Sequence, residues 1–215
     1  GKMKAKYLIG GGLLLIAAAL SLTAYNLWEN QRATAAAQQA LAAIKAQPEP
    51  EQQESAVEPE AALPEYVRNP NMEMPAVEID GIEYIGTLEI PTLELELPVI
   101  STWSDALLDC APCRYMGSAY LDNLIIAGHN YRGHFGTLHR LLPGDAIQFT
   151  DTAGNQFFYE VSQVEELPGS ALEEMAAGDW DLTLFTCTIS RTSRITIRCE
   201  RLQEDPFEQR LSTEK

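Results

Sequence analysis

The stretch DLTLFTCTISRTSRITIRCER, residues 181–201, reads as two short strands joined by a polar turn. Apolar and polar side chains alternate in each half, a pattern typical of a strand with one buried face. If the leucines of the first strand and the isoleucines of the second point inward, then Cys187 and Arg194 both point outward. Pairing across the turn is therefore predicted to bring Cys187 and Arg194 side by side.

Other side chains of this stretch follow from the same alternation. Cys199 falls on the inward face with the isoleucines, so we expect a buried core thiol. Thr183 and Phe185 share the outward face with Cys187, where they are candidates for lining a substrate groove or for packing under a loop. Arg191 lies in the turn and is the alternative to Arg194 as the arginine that meets Cys187.

The texture of the stretch extends over most of the chain. From Ile82 onward, short strand-like segments such as NLIIAGH and QFFYEVSQVEEL are punctuated by Gly, Pro, Asn and Asp. Helical pieces are predicted only near 103–109, 135–142 and 171–177. Residues 82–204 are therefore predicted to form one all-β barrel with short helices in its loops, followed by a polar tail, 205–215.

The N-terminal segment has a different character. Residues 7–28 carry no charge and span about 33 Å as a helix, enough to cross a bilayer. Lysines precede this run, which favours a single-pass anchor with the N-terminus inside and the barrel outside the cell. A cleaved signal peptide is the alternative, although its apolar run is usually shorter.

Two segments connect the apolar run to the predicted barrel. Residues 29–46 are rich in Ala, Gln and Leu and favour a helical stalk. Residues 47–81 hold six of the twelve prolines and nine acidic side chains, which indicates an extended acidic linker. The chain is thus divided into a stub and anchor, 1–28, then stalk, linker, barrel and tail.

Charge and cysteine content exclude several function classes. The formal net charge of −16 argues against a nucleic-acid partner, because phosphate binding needs Lys and Arg. Cys110 and Cys113 form a CAPC sequence in a Pro-containing loop, without the strand–helix context of a redox motif. A local disulfide or a pair of buried thiols is the expected state.

A nucleophilic cysteine needs a proton shuttle, and the three histidines all lie in GHNYRGHFGTLHRL. His129 ends the apolar strand NLIIAG, whereas His134 and His139 follow in the loop and the next short helix. Their five-residue spacing is not that of a zinc-binding helix, so no metal and no cofactor are expected. His129 is the predicted partner of Cys187.

The order of these motifs resembles the sortase family. TLFTC followed by an arginine is similar to the sortase TLxTC…R signature, and IIAGHN is similar to the catalytic-histidine segment. GTLEIPTLELELPVI and LLPGDAIQFTD resemble the opening strand pair and a Pro-Gly-Asp turn of the family. The resemblance covers roughly residues 80–202, and GHNYRGHFGTLHRL looks nearest to class B-like sortases. Class B-like members usually carry a helix between the last strands, for which only residues 171–180 are available. A pilin-polymerising class often has an Asp-Pro-aromatic lid before the barrel, whereas the DPF sequence here, 205–207, follows it.

This resemblance implies a closed eight-stranded barrel and a cysteine transpeptidase of the Gram-positive cell surface. Cys187 would attack an LPxTG-like sorting signal of a surface protein, His129 would transfer protons, and Arg194 would hold the substrate oxygen. The thioacyl enzyme would then pass to an amine acceptor, a peptidoglycan precursor or a pilin lysine. The alternatives are a surface cysteine peptidase that uses water, and a non-catalytic anchored scaffold domain.

Overall fold

The computed structural model describes residues 2–46, 63–187 and 192–207. The α-helices are α1 (Lys2–Lys45), α2 (Glu65–Arg68), α3 (Asp105–Leu108) and α4 (Leu172–Ala176). The strands are β1 (Val77–Ile79), β2 (Ile82–Ile90), β3 (Leu95–Ile100), β4 (Cys113–Met116), β5 (Leu124–Ala127), β6 (Ala146–Asp151), β7 (Gln156–Pro168), β8 (Leu182–Cys187) and β9 (Ser193–Leu202). Single 3-10 turns occupy Pro91–Leu93, Ala119–Leu121 and Leu138–Arg140.

Eight of the strands form a closed barrel. The hydrogen-bonded order is β2-β3-β4-β5-β8-β9-β7-β6, and β6 pairs back onto β2 through Gly86–Asp151 and the next three partners. β1 adds to the first residues of β2 only. The predicted closed eight-stranded barrel with short helices in its loops is therefore confirmed, and closure leaves few unpaired strand edges.

The barrel interior is filled by the inward side chains predicted from alternation. Leu182 and Leu184 of β8 and Ile197 and Cys199 of β9 are fully buried. Burial of an aliphatic side chain of this size stabilises the fold by roughly 1.5–3 kcal/mol. Burial also raises the pKa of the Cys199 thiol, which stays protonated and serves as a core residue.

The CAPC cysteines are both free thiols in the structure. Cys113 begins β4 and is fully buried, and this burial raises its pKa to about 12. Cys110 is half-buried at the end of the loop that contains α3. Of the two states expected from the sequence, the structure shows separate thiols.

Part of the expected linker is folded onto the barrel. Residues 63–81 include α2 and β1, and Tyr66 of α2 stacks on Tyr120 with ring centroids 4.7 Å apart. Met74 is also buried. These apolar anchors outweigh the acidic, Pro-rich composition that predicts an extended segment, because composition averages over the few side chains that pack. Residues 47–62 of the linker and 208–215 of the tail lie outside the described residues.

The first helix is continuous from the apolar run into the predicted stalk. Its exposed part ends near Trp28, and the large apolar side chains from Leu13 to Trp28 are 55–72% exposed. From Ala33 onward one face of α1 is buried against the barrel, and its buried members are Ala33, Ala37, Ala40 and Leu41. Among the described residues, one helix is long and apolar enough to cross a membrane, and it spans Gly10–Lys45.

Polar contacts fix α1 to the loop that follows β5. The Asn30 side chain accepts a hydrogen bond from the backbone N–H of Arg132 at 3.2 Å. His134 is fully buried beneath the helix with Nε2 3.4 Å from the Ala33 carbonyl oxygen. Burial lowers the pKa of His134 to about 4, so the neutral ring donates to that carbonyl at physiological pH.

Close approach between this loop and α1 requires a glycine. A Cβ at Gly133 would collide with the side chain of Thr34. At the far end of the docked segment, Lys45 forms a 2.6 Å ion pair with Glu96 of β3. The stalk is therefore part of the folded domain and is held at both ends.

Candidate active site

Cys187 is the last residue of β8 and the last described residue before the 188–191 gap. The β8–β9 register pairs Leu184 with Ile197 and Cys187 with Arg194. Directly opposed residues of antiparallel strands have Cβ atoms about 5 Å apart. The side-by-side placement of Cys187 and Arg194 that alternation predicts is present, and Cys187 is exposed.

His129 lies on the other side of Cys187. Strands β5 and β8 are parallel, with Leu124 opposite Leu182 and Ala127 opposite Phe185. The ladder continues through a 3.1 Å hydrogen bond from the Gly128 N–H to the Phe185 carbonyl. His129 and Cys187 each lie two residues beyond the last pair of this ladder, so continuation of the register leads to both residues at the same end of the barrel.

A carboxylate that the sequence did not reveal contacts His129. Nε2 of His129 lies 3.1 Å from Oδ1 of Asp109, at the C-terminal end of α3. The Tyr131 hydroxyl donates to the same oxygen at 3.4 Å, and the Tyr131 ring lies 4.9 Å from the His129 ring. Because Nε2–H faces Asp109, Nδ1 is the nitrogen left to exchange protons with a substrate.

Arg194 presents a guanidinium whose hydrogen-bonding capacity is unfilled. Its Nε and Nη1 atoms are buried, and no group among the described residues accepts a hydrogen bond from either. The charged head lies over the Phe185 ring, 5.7 Å from the centroid. A carbonyl oxygen or oxyanion brought to this point would accept hydrogen bonds from Nε–H and Nη1–H, and such charge-assisted bonds are strong.

Phe185 and Thr183 share the outward face, but neighbouring elements cover both. Phe185 is 7% exposed and makes an edge contact with Tyr115, ring centroids 5.4 Å apart. Thr183 is 2% exposed and accepts a 3.2 Å hydrogen bond from Arg198. Both side chains therefore lie beneath the site and are not exposed in a groove. They point outward from the barrel, but β4 side chains and α4 cover this face.

Arg198 has a separate task on the same face. Its guanidinium donates to the carbonyls of Glu174 and Met175 at 2.7 and 2.6 Å, and it pairs with Glu165 at 3.7 Å. These bonds pin α4 to the barrel. Arg198 is therefore occupied, whereas Arg194 is open to a ligand.

The remaining candidates from the sequence are placed apart from this trio. His134 is buried beneath α1, and His139 is exposed on the Leu138–Arg140 turn. Arg191, the alternative arginine, lies outside the described residues. The thiol of Cys187 and the guanidinium of Arg194 thus lie side by side on β8 and β9, and the imidazole of His129 follows the end of the neighbouring strand β5.

This arrangement defines a class of protein: a closed barrel with a site suited to cysteine-dependent acyl transfer. The thiol is a nucleophile, the imidazole a proton shuttle, and the guanidinium an oxyanion ligand. A family model described as Sortase domain matches residues 88–202, more than half of the 215-residue chain. The chain belongs to the sortase family, whose members are cysteine transpeptidases.

Solved sortase structures share the fold. Sortase C1 from Streptococcus agalactiae is 26% identical, with a TM-score of 0.51 over 60% of this chain and 72% of that one. Clostridium perfringens sortase C with the C-terminal cell wall sorting motif is 22% identical, with a TM-score of 0.50 over 56% and 71%. A pilus-related sortase C of group B Streptococcus is also 22% identical, with a TM-score of 0.50 over 58% and 69%. A search of curated protein sequences finds no match to this chain.

The class B-like subclass inferred from GHNYRGHFGTLHRL is not supported, because the S. agalactiae structure at 26% identity is a sortase C1. The fold gives a physical reason. Class B-like sortases were expected to carry a helix between the last strands near the site, and here α4 has only five residues. The Asp-Pro-Phe sequence after β9 does not cover the site either, because Phe207 packs on Phe158 of β7. Phe158 is nine residues, about 30 Å along the strand, from Leu167, which pairs with Arg194.

Proposed function

We propose that this protein is a membrane-anchored sortase that uses Cys187 as nucleophile, His129 as proton shuttle and Arg194 as oxyanion ligand. The observation that supports the proposal is the strand register. Cys187 pairs with Arg194 of β9, and the β5–β8 ladder ends at Ala127 and Phe185, two residues before His129 and Cys187. The substrate is a surface protein with an LPxTG-like sorting signal. Anchoring is through residues 7–28, with the barrel outside the cell.

In the first half-reaction the Cys187 thiolate attacks the backbone carbonyl of the threonine in the sorting signal. Negative charge moves to the carbonyl oxygen. This oxygen accepts hydrogen bonds from Nε–H and Nη1–H of Arg194, two donors that have no acceptor among the described residues. The C–N bond then breaks, and protonated His129 gives its proton to the departing amine. The product is a thioester between Cys187 and threonine.

In the second half-reaction an amine attacks the thioester, His129 removes its proton, and the Cys187 thiolate leaves. The acceptor is a peptidoglycan precursor or a pilin lysine. The S. agalactiae and C. perfringens enzymes are sortase C structures, and one relative is described as pilus-related, which makes the pilin lysine a substrate to include in every assay.

The test is a peptide-library cleavage screen with a choice of amine acceptors. Ligated product with an amine, in preference to free acid, is the expected result. Cleavage without ligation by any amine would identify a surface cysteine peptidase instead. Absence of both cleavage and selective labelling of Cys187 by a thiol reagent would identify a non-catalytic scaffold.

Asp109 is proposed as a positioning residue for His129. Its contact with Nε2 fixes the ring orientation and the tautomer, so that Nδ1 is presented to the reacting amine. Asp109 is 61% exposed, so its electrostatic contribution is screened by solvent and its main effect is geometric.

Asp109→Asn is expected to lower kcat about 10-fold with little change in KM, because misorientation of a catalytic group slows chemistry rather than binding. Steady-state kinetics on the peptide and the melting temperature together provide the measurement. Asp105→Asn, an exposed acid at the start of the same helix, is the matched control and should keep wild-type kcat. Equal kcat in both variants would remove Asp109 from the mechanism.

A further inference from the structure

The boundary between exposed and buried side chains on α1 lies close to the active-site loop. Large apolar side chains are exposed from Leu13 to Trp28, and the buried face of the helix begins at Ala33. Arg32 lies over the Trp28 ring at 5.7 Å, an aromatic–cation pair suited to the headgroup level of a bilayer. An exposed apolar surface of this length is unfavourable in water, and insertion of the proposed anchor into a membrane would bury it.

The first part of the barrel domain that α1 meets beyond this boundary is the loop that carries His129. Asn30 and Thr34 contact Arg132 and Gly133. These helix residues lie only about 3–9 Å beyond Trp28 along the axis. His129 is three residues from Arg132, so its Cα is within about 11 Å of that contact.

The other end of the docked segment is much farther from the membrane boundary. Lys45, which pairs with Glu96, is 17 residues beyond Trp28, about 25 Å along the helix axis. Distance along the helix axis from Trp28 therefore differs between the two contacts: the His129 loop is near the membrane boundary, and the start of β3 is far from it.

Nothing in α1 provides a hinge between the exposed and the docked parts. Residues 13–46 contain neither Gly nor Pro, the usual causes of a kink. The docked face is made mostly of alanines that allow close packing, and His134 and Lys45 add polar contacts at its two ends. A rigid connection transmits the orientation of the membrane helix to the barrel.

We propose that docked α1 holds the barrel directly on the membrane with the His129 loop as the face nearest the lipid, so that the enzyme acts on sorting signals and amines held at the membrane surface. The proposal rests on the proposed function for the anchor. The net charge of −16 would keep a flexibly tethered domain away from an anionic leaflet, so the docked helix is what maintains the approach.

The first experiment measures orientation without catalysis. The full chain with Cys110→Ser and Cys187→Ser is labelled with a fluorophore at Arg132→Cys or at Glu94→Cys and reconstituted in vesicles of phosphatidylcholine and phosphatidylglycerol. Energy transfer to a headgroup acceptor dye is expected to be greater from position 132 than from position 94. Equal transfer, or greater transfer from position 94, would overturn the proposal whatever the enzyme does.

The second experiment breaks the docking. Ala37→Arg places a charged side chain in the buried face, and Ala35→Arg places the same side chain on the exposed face of the same helix. With Ala37→Arg, we expect turnover of a lipid-tethered sorting peptide to fall about 10-fold while turnover of the soluble peptide is unchanged, because the loss is one of effective concentration. Ala35→Arg should leave both rates at wild-type values.

The third variant changes height alone. Seven helix-forming residues inserted between Glu29 and Asn30 raise the barrel about 10 Å and rotate it by only about 20°. The tethered substrate should again lose turnover and the soluble one should not. If all variants process tethered peptide at the wild-type rate, the proposal fails although the sortase function stands. If the wild type processes neither peptide, the proposed function fails, and the energy-transfer comparison still decides the orientation.

Discussion

Replacing Cys187 with alanine is expected to abolish both cleavage and ligation of the sorting peptide, with a loss of at least about 10⁴-fold in kcat, as for other covalent nucleophiles. The thiol forms the only covalent bond to the acyl group in the proposed mechanism, and water at Arg194 cannot replace it. Because the side chain is exposed at the end of β8, the melting temperature should be unchanged.

Two other cysteines provide the controls. Cys110→Ser alters a half-buried thiol and should retain wild-type turnover. Cys199→Ala opens a space in the core and should lower stability by roughly 1 kcal/mol while each folded molecule keeps its activity. Mass spectrometry should detect a thioacyl adduct on the wild type and none on Cys187→Ala. A residual adduct on Cys187→Ala, or loss of turnover in Cys110→Ser, would assign the nucleophile elsewhere.

Local alternation was enough to predict one half of the candidate site. Only residues 188–192 separate β8 from β9 in the sequence, so the inward leucines and isoleucines determine which residues face outward and which are paired. The position of His129 beside Cys187 depends on the parallel pairing of β5 with β8, two strands separated by more than fifty residues. Periodicity carries no information about such pairing, and the resemblance to sortases supplied it.

Contacts between segments that are distant in the chain could not be predicted from the sequence. Asp109 meets His129 only because the 101–112 segment folds over the end of β5, and no pattern in the segment signals that contact. Thr183 and Phe185 face outward as expected, yet α4 and Tyr115 cover them, because alternation gives direction and not exposure. The alanines of the stalk read as helix propensity alone, although several of them form a packing face.

The short-motif assignment to class B failed for a related reason. GHN and FGTL describe only the residues around His129. The helix that a class B-like sortase is expected to carry is a separate element, and α4 stands in its place with five residues. A motif around His129 holds no information about the length of that helix.

Arg194→Ala is expected to lower kcat about 10²- to 10³-fold, the usual cost of removing an oxyanion donor. The folded state should not suffer. Two guanidinium nitrogens of Arg194 have no acceptor among the described residues, so the substitution breaks no hydrogen bond from either atom, and the melting temperature should change little. Arg194→Lys should recover only part of the loss, because an ammonium cannot present two donors in the fixed plane of a guanidinium.

Arg198→Ala should have the opposite effect, because Arg198 holds α4 on the barrel: the melting temperature should fall, and kcat should change less than in Arg194→Ala. Arg191→Ala completes the comparison and should remain near wild type. Normal kinetics for Arg194→Ala together with a large loss for Arg191→Ala would assign the oxyanion role to Arg191. The strand register would then support only the roles of Cys187 and His129.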